Sequence, residues 1–207
     1  MNLAEHAGTA LKRGDVAPDF ELPCAEAEGT VSLAEYRRRG TVLLLMLRGL
    51  YCPFCRRGIG LLRPTCDALK KAGVPLLGVV IASPARARQY FRHFPACFPA
   101  VAAPDRALHR AYGLPEMERT RQMKEDTERR AREILRERGL DAPPGQAGWV
   151  FHEQDGFQMT DEDDAEWKRP LQSVGYFLIG PDGVIRWARV EPRMFLLPKA
   201  EEILPFV

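Results

Sequence analysis

The sequence is short of several things, and each shortage closes off a class of function. No stretch approaches the roughly 18 consecutive apolar residues of a membrane helix; the longest greasy run, TVLLLML at 41–47, suits a buried strand. The opening MNLAEHAGTALKRGD has no apolar h-region with a small-residue cleavage pattern behind it, so a soluble, cytoplasmic protein without membrane association is expected. Charge of one sign is missing too. The formal net charge of +2 over 207 residues argues against a nucleic-acid partner. Cysteine is sparse and odd in number, at five, which does not look like a secreted disulfide framework. Histidine is scarcer still, at four, and His6, His93, His109 and His152 are scattered. Zinc wants four clustered ligands, so no metal and no cofactor are expected.

What is present reads as an α/β protein. Residues 15–24 form an extended segment between prolines, followed by a strand and a helical turn in GTVSLAEYR. TVLLLML is apolar without alternation, as in a central strand covered on both faces. A helix is expected over 52–72, stopped by Gly73, then a buried strand at 74–83 and an amphipathic helix in PARARQYFRHF. A brief strand in FPAVAAP and a short helix in DRALHRAYG complete a β-α-β-α-β order, which implies parallel strands with helices on both faces.

The pattern breaks after Leu114. Residues 116–138 are densely charged and helix-forming, with Met117, Ala131, Ile134 and Leu135 among the few residues to offer apolar contact. WVFHEQDGF reads as a small hairpin, and TDEDDAEWKR as an acidic loop whose spacing does not fit a calcium loop. Residues 115–171 have too few apolar residues for a core of their own, so the expectation is one domain, 1–207, with an insertion there. Its helix is too polar to stand alone. It would fold over the active-site face or contact a second subunit, which makes a homodimer possible. GYFLIG, a Pro-Asp-Gly turn and VIRWARV then form a hairpin, and a helix at about 198–204 closes the chain.

The chemistry concentrates in MLRGLYCPFCRRG, 46–58. If Pro53 takes the first helical position, Cys52 is the N-cap, facing free N–H groups and the positive end of the helix dipole. That arrangement lowers a thiol pKa below about 8.5. Arg48, Arg56 and Arg57 add positive charge. Cys55, one turn on, is expected to be more covered. Cys52 is therefore the better nucleophile and Cys55 the better resolving thiol. Two buried structural cysteines are the bland alternative. Cys66 lies about 16 Å further along a continuous helix and reads as a core residue. Cys24 reads as structural, and Cys97 as a loop residue for which a second resolving role is the sharper alternative.

With these residues in hand, the chain resembles the peroxiredoxin-like branch of the thioredoxin superfamily, the alkyl hydroperoxide reductase / thiol-specific antioxidant group. GDVAPDFELP is similar to its opening, LLMLRGLYCPFCRR to its active-site strand and helix, FPAVAAPDRALHRAYGL to the segment after its third helix, and GYFLIGPDGVIRW to its closing hairpin. The resemblance implies a thioredoxin-like fold: a central mixed sheet with flanking helices, and a charged helical insertion before the closing hairpin. The family's threonine, three residues before the cysteine, falls on Gly49; its proline falls on Leu45 and its arginine on Val174. Arg48 could stand in for the arginine. The Cys-Pro-Phe-Cys tetrapeptide is similar to a glutaredoxin motif, while SVGYFLI lacks the proline that the thioredoxin fold sets beside its dithiol.

The expected function is a thiol-dependent redox enzyme, with Cys52 attacking a peroxide or another oxidised substrate and Cys55 closing an internal disulfide. A thioredoxin- or glutathione-type thiol would reduce it. A thiol–disulfide oxidoreductase and a non-enzymatic redox sensor or binding module are the other readings.

Overall fold

The computed structural model describes residues 9–191 and 197–207; His6 lies outside them. After a small antiparallel pair, β1 (Glu21–Pro23) and β2 (Thr30–Ser32), comes the short helix α1 (Leu33–Arg37). The central strand β3 (Val42–Gly49) is buried at every position, as an uninterrupted apolar run requires. It leads into α2 (Pro53–Leu61) and α3 (Arg63–Lys71), then β4 (Leu76–Ile81), α4 (Pro84–His93), β5 (Ala100–Ala102) and α5 (Ala107–Ala111).

The charged stretch contributes β6 (Glu116–Met117), α6 (Arg121–Glu137), α7 (Ala147–Glu153), α8 (Asp161–Lys168) and β7 (Leu171–Gln172). The hairpin β8 (Val174–Ile179) and β9 (Ile185–Glu191) follows, then α9 (Ala200–Ile203) and a tight final turn. The five-stranded sheet runs β5-β4-β3-β8-β9, with β3, β4 and β5 parallel and β8 and β9 antiparallel. This is the mixed sheet with flanking helices expected of a thioredoxin-like fold.

Side chains of β3 alternate between the two faces. Val42, Leu44 and Met46 pack with Leu33, Leu108 and Tyr112 on one side. Leu43, Leu45 and Leu47 pack on the other with Ile59, Leu62 and Leu69 of the helical layer and with Cys52 and Cys55. Ala131, Ile134, Leu135, Phe151 and Phe157 join that second cluster. The 115–171 stretch thus shares the core beneath the cysteine pair. The few apolar residues of the helix expected to need support, Ala131, Ile134 and Leu135 of α6, are covered within the chain.

Four expectations need correction. The helix at 52–72 is two helices, broken at Leu62. Pro64 has no N–H to donate and crowds the carbonyl of Gly60, so it starts a new helix rather than continuing one. The WVFHEQDGF hairpin is instead α7 with its trailing loop. Its first N–H groups, on Ala147 and Gly148, donate to the Glu128 carboxylate at 2.9 and 3.0 Å, a cap supplied from α6. The TDEDDAEWKR loop is instead α8. Thr160 and Asp163 form a reciprocal capping box, and four acids in the first turn complement the helix dipole. Lastly, Cys66 is a core residue but not a lone one. It forms a disulfide with Cys97, tying α3 to the loop after α4. Cys24 stays free and half-buried, bridged through its backbone to Val101.

Candidate active site

Cys52 sits where β3 gives way to α2. Pro53 occupies the first turn and Cys52 is the N-cap with extended backbone, as the spacing requires. Its sulfur accepts the Cys55 backbone N–H at 3.4 Å. Arg48, four residues back at the end of β3 and 4% exposed, brings Nη1 to 3.9 Å from the same sulfur. Cys52 is 5% exposed and Cys55 2%, both as free thiols.

The two thiols are pushed apart electrostatically. Burial raises the Cys52 pKa. The Cys55 thiol and backbone N–H donate to its sulfur, and Arg48 and Arg56 add positive charge. The sum brings Cys52 down to about 6. Cys55 goes up, by burial first and then by its hydrogen bond to Cys52. The arrangement favours the thiolate on Cys52 and the thiol on Cys55.

Arg48 donates Nε–H to the Gln172 carbonyl at 2.6 Å. Gln172 lies two residues before Val174, the counterpart of the family's arginine, and Val174 is itself fully buried in the sheet. A guanidinium therefore reaches the neighbourhood of that missing arginine, but from β3. Gly49 is more than an absent threonine. A Cβ there would meet the Tyr51 ring at 2.8 Å and Glu166 Cγ at 3.1 Å. The space a threonine needs is filled by an aromatic ring.

Arg56 is buried and faces the 115–171 stretch. It binds Asp155 through two hydrogen bonds of 2.6 and 3.1 Å, donates to the Leu50 and His152 carbonyls, and lies 3.9 Å from the Phe157 ring centroid. Arg57 points away to Glu137 at 3.9 Å and is not among the groups acting on Cys52. Two further buried arginines, not singled out from the sequence, make the same kind of clamp. Arg86 meets Asp163 at 2.6 Å, and Arg106 meets Glu166. Their only sequence signal is the matching density of acids in the charged stretch.

That stretch covers the site. Tyr51 packs edge-on against Trp167 at 5.6 Å, and Phe54 against Phe151 at 5.0 Å. Between them a cavity of about 730 Å³ opens onto Cys52. Arg48, Tyr51, Pro53 and Phe54 line its floor. Arg119, Lys124, Trp149, His152, Asp161 and Trp167 line the opposite wall. The Tyr51 hydroxyl and His152 Nε2 are buried without hydrogen-bond partners. Among the described residues no group of three or more His, Cys, Asp or Glu side chains is placed to hold a metal ion. His109 is fully buried and hydrogen-bonds the Leu47 carbonyl at 2.8 Å.

A sheet of this order, with a cysteine capping the helix after its central strand, defines a thioredoxin-like fold. Solved structures of similar shape include peroxidoxin BcpB from Mycobacterium tuberculosis (TM-score 0.56, 13% identity, 87% of this chain and 86% of that one). The putative thiol:disulfide interchange protein DsbE from Chlorobium tepidum is similar as well (TM-score 0.54, 18% identity, 95% and 94%). At such identities the likeness concerns the fold.

Residues 13–140 match the AhpC/TSA family, and the chain belongs to it. Peroxiredoxin Bcp of Escherichia coli (strain K12) is 35% identical over 80 residues, 39% of this chain and 50% of that protein. The chain thus spans about half the length of the curated relatives it matches. Among the described residues no helix is long and apolar enough to cross a membrane.

Proposed function

We propose that the protein is a thiol-dependent oxidoreductase of peroxiredoxin type. One observation carries this reading: a cysteine with its pKa brought down to about 6 caps α2 beside a cysteine whose pKa is raised. The Cys52 thiolate attacks one peroxide oxygen and breaks the O–O bond. The leaving oxygen takes a proton and departs as water or an alcohol, and Cys52 becomes a sulfenic acid. Cys55, still a thiol, attacks that sulfur. Water leaves and the Cys52–Cys55 disulfide closes within the first helical turn. Arg48 is assigned the stabilisation of charge on the departing oxygen, the role of the family's arginine. Pro53 pre-sets the helix start, Gly49 leaves room for Tyr51, and Arg56 holds the covering stretch on α2. An external thiol then reduces the disulfide. We read the chain as one domain, 1–207, with 115–171 inserted.

The support from kinship is a match to the AhpC/TSA family and to half of a peroxiredoxin. A second reading, thiol–disulfide exchange, is favoured by one observation: Gly49 leaves the site without the threonine hydroxyl that would orient a peroxide. Stopped-flow oxidation of the reduced protein decides between them. Rapid single-turnover reaction with hydrogen peroxide that survives Cys55→Ser and is lost in Cys52→Ser is expected. Fast reaction only with a model disulfide would sink the peroxidase reading.

A further inference from the structure

A guanidinium beside a sulfur acts through its distance, and Arg48 is held at its distance by groups outside its own strand. We infer that Gln172 is a positioning residue: its side chain fixes the peptide carbonyl that anchors Arg48 against Cys52, so the stem of the 115–171 stretch sets how reactive that sulfur is. The inference rests on the reading above in taking Cys52 as the reacting group.

The anchor comes first. Arg48 makes two contacts with one planar group. Its Nε donates to the Gln172 carbonyl at 2.6 Å, and its Nη1 stands 3.9 Å from Cys52 Sγ. With Nε tied to that carbonyl, the rigid fork presents Nη1 to the sulfur. Any residue at position 172 would offer a carbonyl; the side chain decides where it lies. Gln172 Nε2 donates to the Leu114 carbonyl at 3.0 Å and to the Pro115 carbonyl at 3.3 Å. The backbone closes the same joint. Ser173 N–H donates to the Pro115 carbonyl at 3.0 Å, and Gln172 pairs with Glu116 in the β6–β7 ladder. Residues 114–116 are where the chain leaves α5 for the covering stretch, and 171–173 where it returns to β8. Both ends of the stretch meet at Gln172.

The state of the side chain is a second observation. Gln172 is fully buried, yet its Oε1 has no hydrogen-bond partner among the described residues. Turning the amide over would set Oε1 against two carbonyl oxygens, so Nε2 is the atom that faces them. A buried acceptor left unpaired is destabilising. A side chain present only to fill space would not carry one. Here the unpaired oxygen accompanies an amide that grips the opposite end of the stretch.

The other groups that act on the Cys52 sulfur are held elsewhere. Cys55 and Arg56 sit on α2, and Arg56 is fixed by Asp155 and by the Leu50 and His152 carbonyls. Tyr51 precedes α2, and Arg119, Lys124, Glu128, His152, Asp161 and Asp164 line the cavity around the sulfur. If the grip of Gln172 acts through Arg48, its loss matters only while Arg48 is present.

The test reads the ionisation of Cys52 in the full, reduced chain. The rate of alkylation by iodoacetamide is followed against pH, with the modified cysteine located by peptide mass spectrometry. Gln172→Met keeps the length of the side chain and loses both hydrogen bonds. Its midpoint is expected to lie about half a pH unit or more above that of the parent chain. Added to Arg48→Met, the same replacement is expected to move the midpoint no further. Arg48→Lys keeps one charge but has no second nitrogen to present while the first holds the carbonyl, and its midpoint is expected to rise as well. An unmoved midpoint in Gln172→Met, even with stability lowered, would overturn the inference. So would an equal rise with and without Arg48. Should circular dichroism show that Gln172→Met does not fold, Arg48→Lys decides: a midpoint equal to the parent's would mean that charge suffices without the anchor. Failure of the peroxidase reading would appear in the reaction of Cys52 with peroxide, which these midpoints do not involve.

Discussion

Cys52 owes its acidity to groups that act against burial. The Cys55 thiol and N–H, and the guanidinium of Arg48, outweigh desolvation of the sulfur. The rate of alkylation of Cys52 should therefore rise with pH through about 6 and level off above it. Arg48→Met should move that midpoint up by about one pH unit or more, because the positive charge nearest the sulfur is gone; an unmoved midpoint would discard Arg48 as its cause. Gly49 carries a second prediction. Threonine at this position overpacks against Tyr51, and Gly49→Thr should cost about 1–3 kcal/mol in urea denaturation. Adding Tyr51→Ala should recover part of that loss, since the two residues compete for one volume. Purely additive costs would show that they do not.

At the scale of elements, α8 and the loop after α7 are tied to α2, α4 and the start of α5 by ion pairs that local sequence does not reveal. Arg56, Arg86 and Arg106 each take an acid from the charged stretch, at Asp155, Asp163 and Glu166. Breaking a buried pair from one side strands the other charge. Glu166→Gln leaves Arg106 with the Glu116 carboxylate alone, at 3.1 Å, and should lower stability by about 1–3 kcal/mol in denaturant titration, with early proteolytic cleavage in 115–171. Replacing both partners, as Arg106→Met with Glu166→Leu, should be far milder. If the single and double replacements cost the same, the pair is not what anchors α8. The acidic run at 161–164 reads as a loop by its charge, although the capping box of α8, Thr160-x-x-Asp163, joins partners only three residues apart. The cap of α7 was not legible, because Glu128 lies nineteen residues before Ala147. The charged stretch was recognisable as helical at α6, where acids and arginines recur at short range. Its attachment depends on arginines far away in sequence.

For the whole molecule, stability is expected to depend on pH through His109. A carbonyl only accepts, so His109 Nε2 carries the proton toward Leu47, and burial brings the pKa down from 6.5 to about 4. The folded state therefore keeps this ring neutral while the unfolded chain protonates it. Its contribution to stability is complete above about 6.5 and is lost as pH falls toward 4. Denaturant midpoints should drop across that window, and His109→Gln should flatten the drop relative to the parent chain. Identical slopes would assign the acid sensitivity elsewhere.

Much of this architecture was determined by the sequence alone. The continuous apolar run of β3, the proline-started helices α2 and α4 and the closing hairpin are written in patterns of a few residues. So is the N-cap position of Cys52, because Pro53 fixes the helix start next to it. Only the tertiary structure decided the rest. Cys66 finds Cys97 across 31 residues, Tyr51 fills the space beside Gly49, and the charged stretch turns back over α2 to enclose a cavity above Cys52. The physical reason is range. Periodicity, capping and turn chemistry act between near neighbours, whereas disulfide pairing, ring packing and buried ion pairs join groups that meet only when the chain has folded.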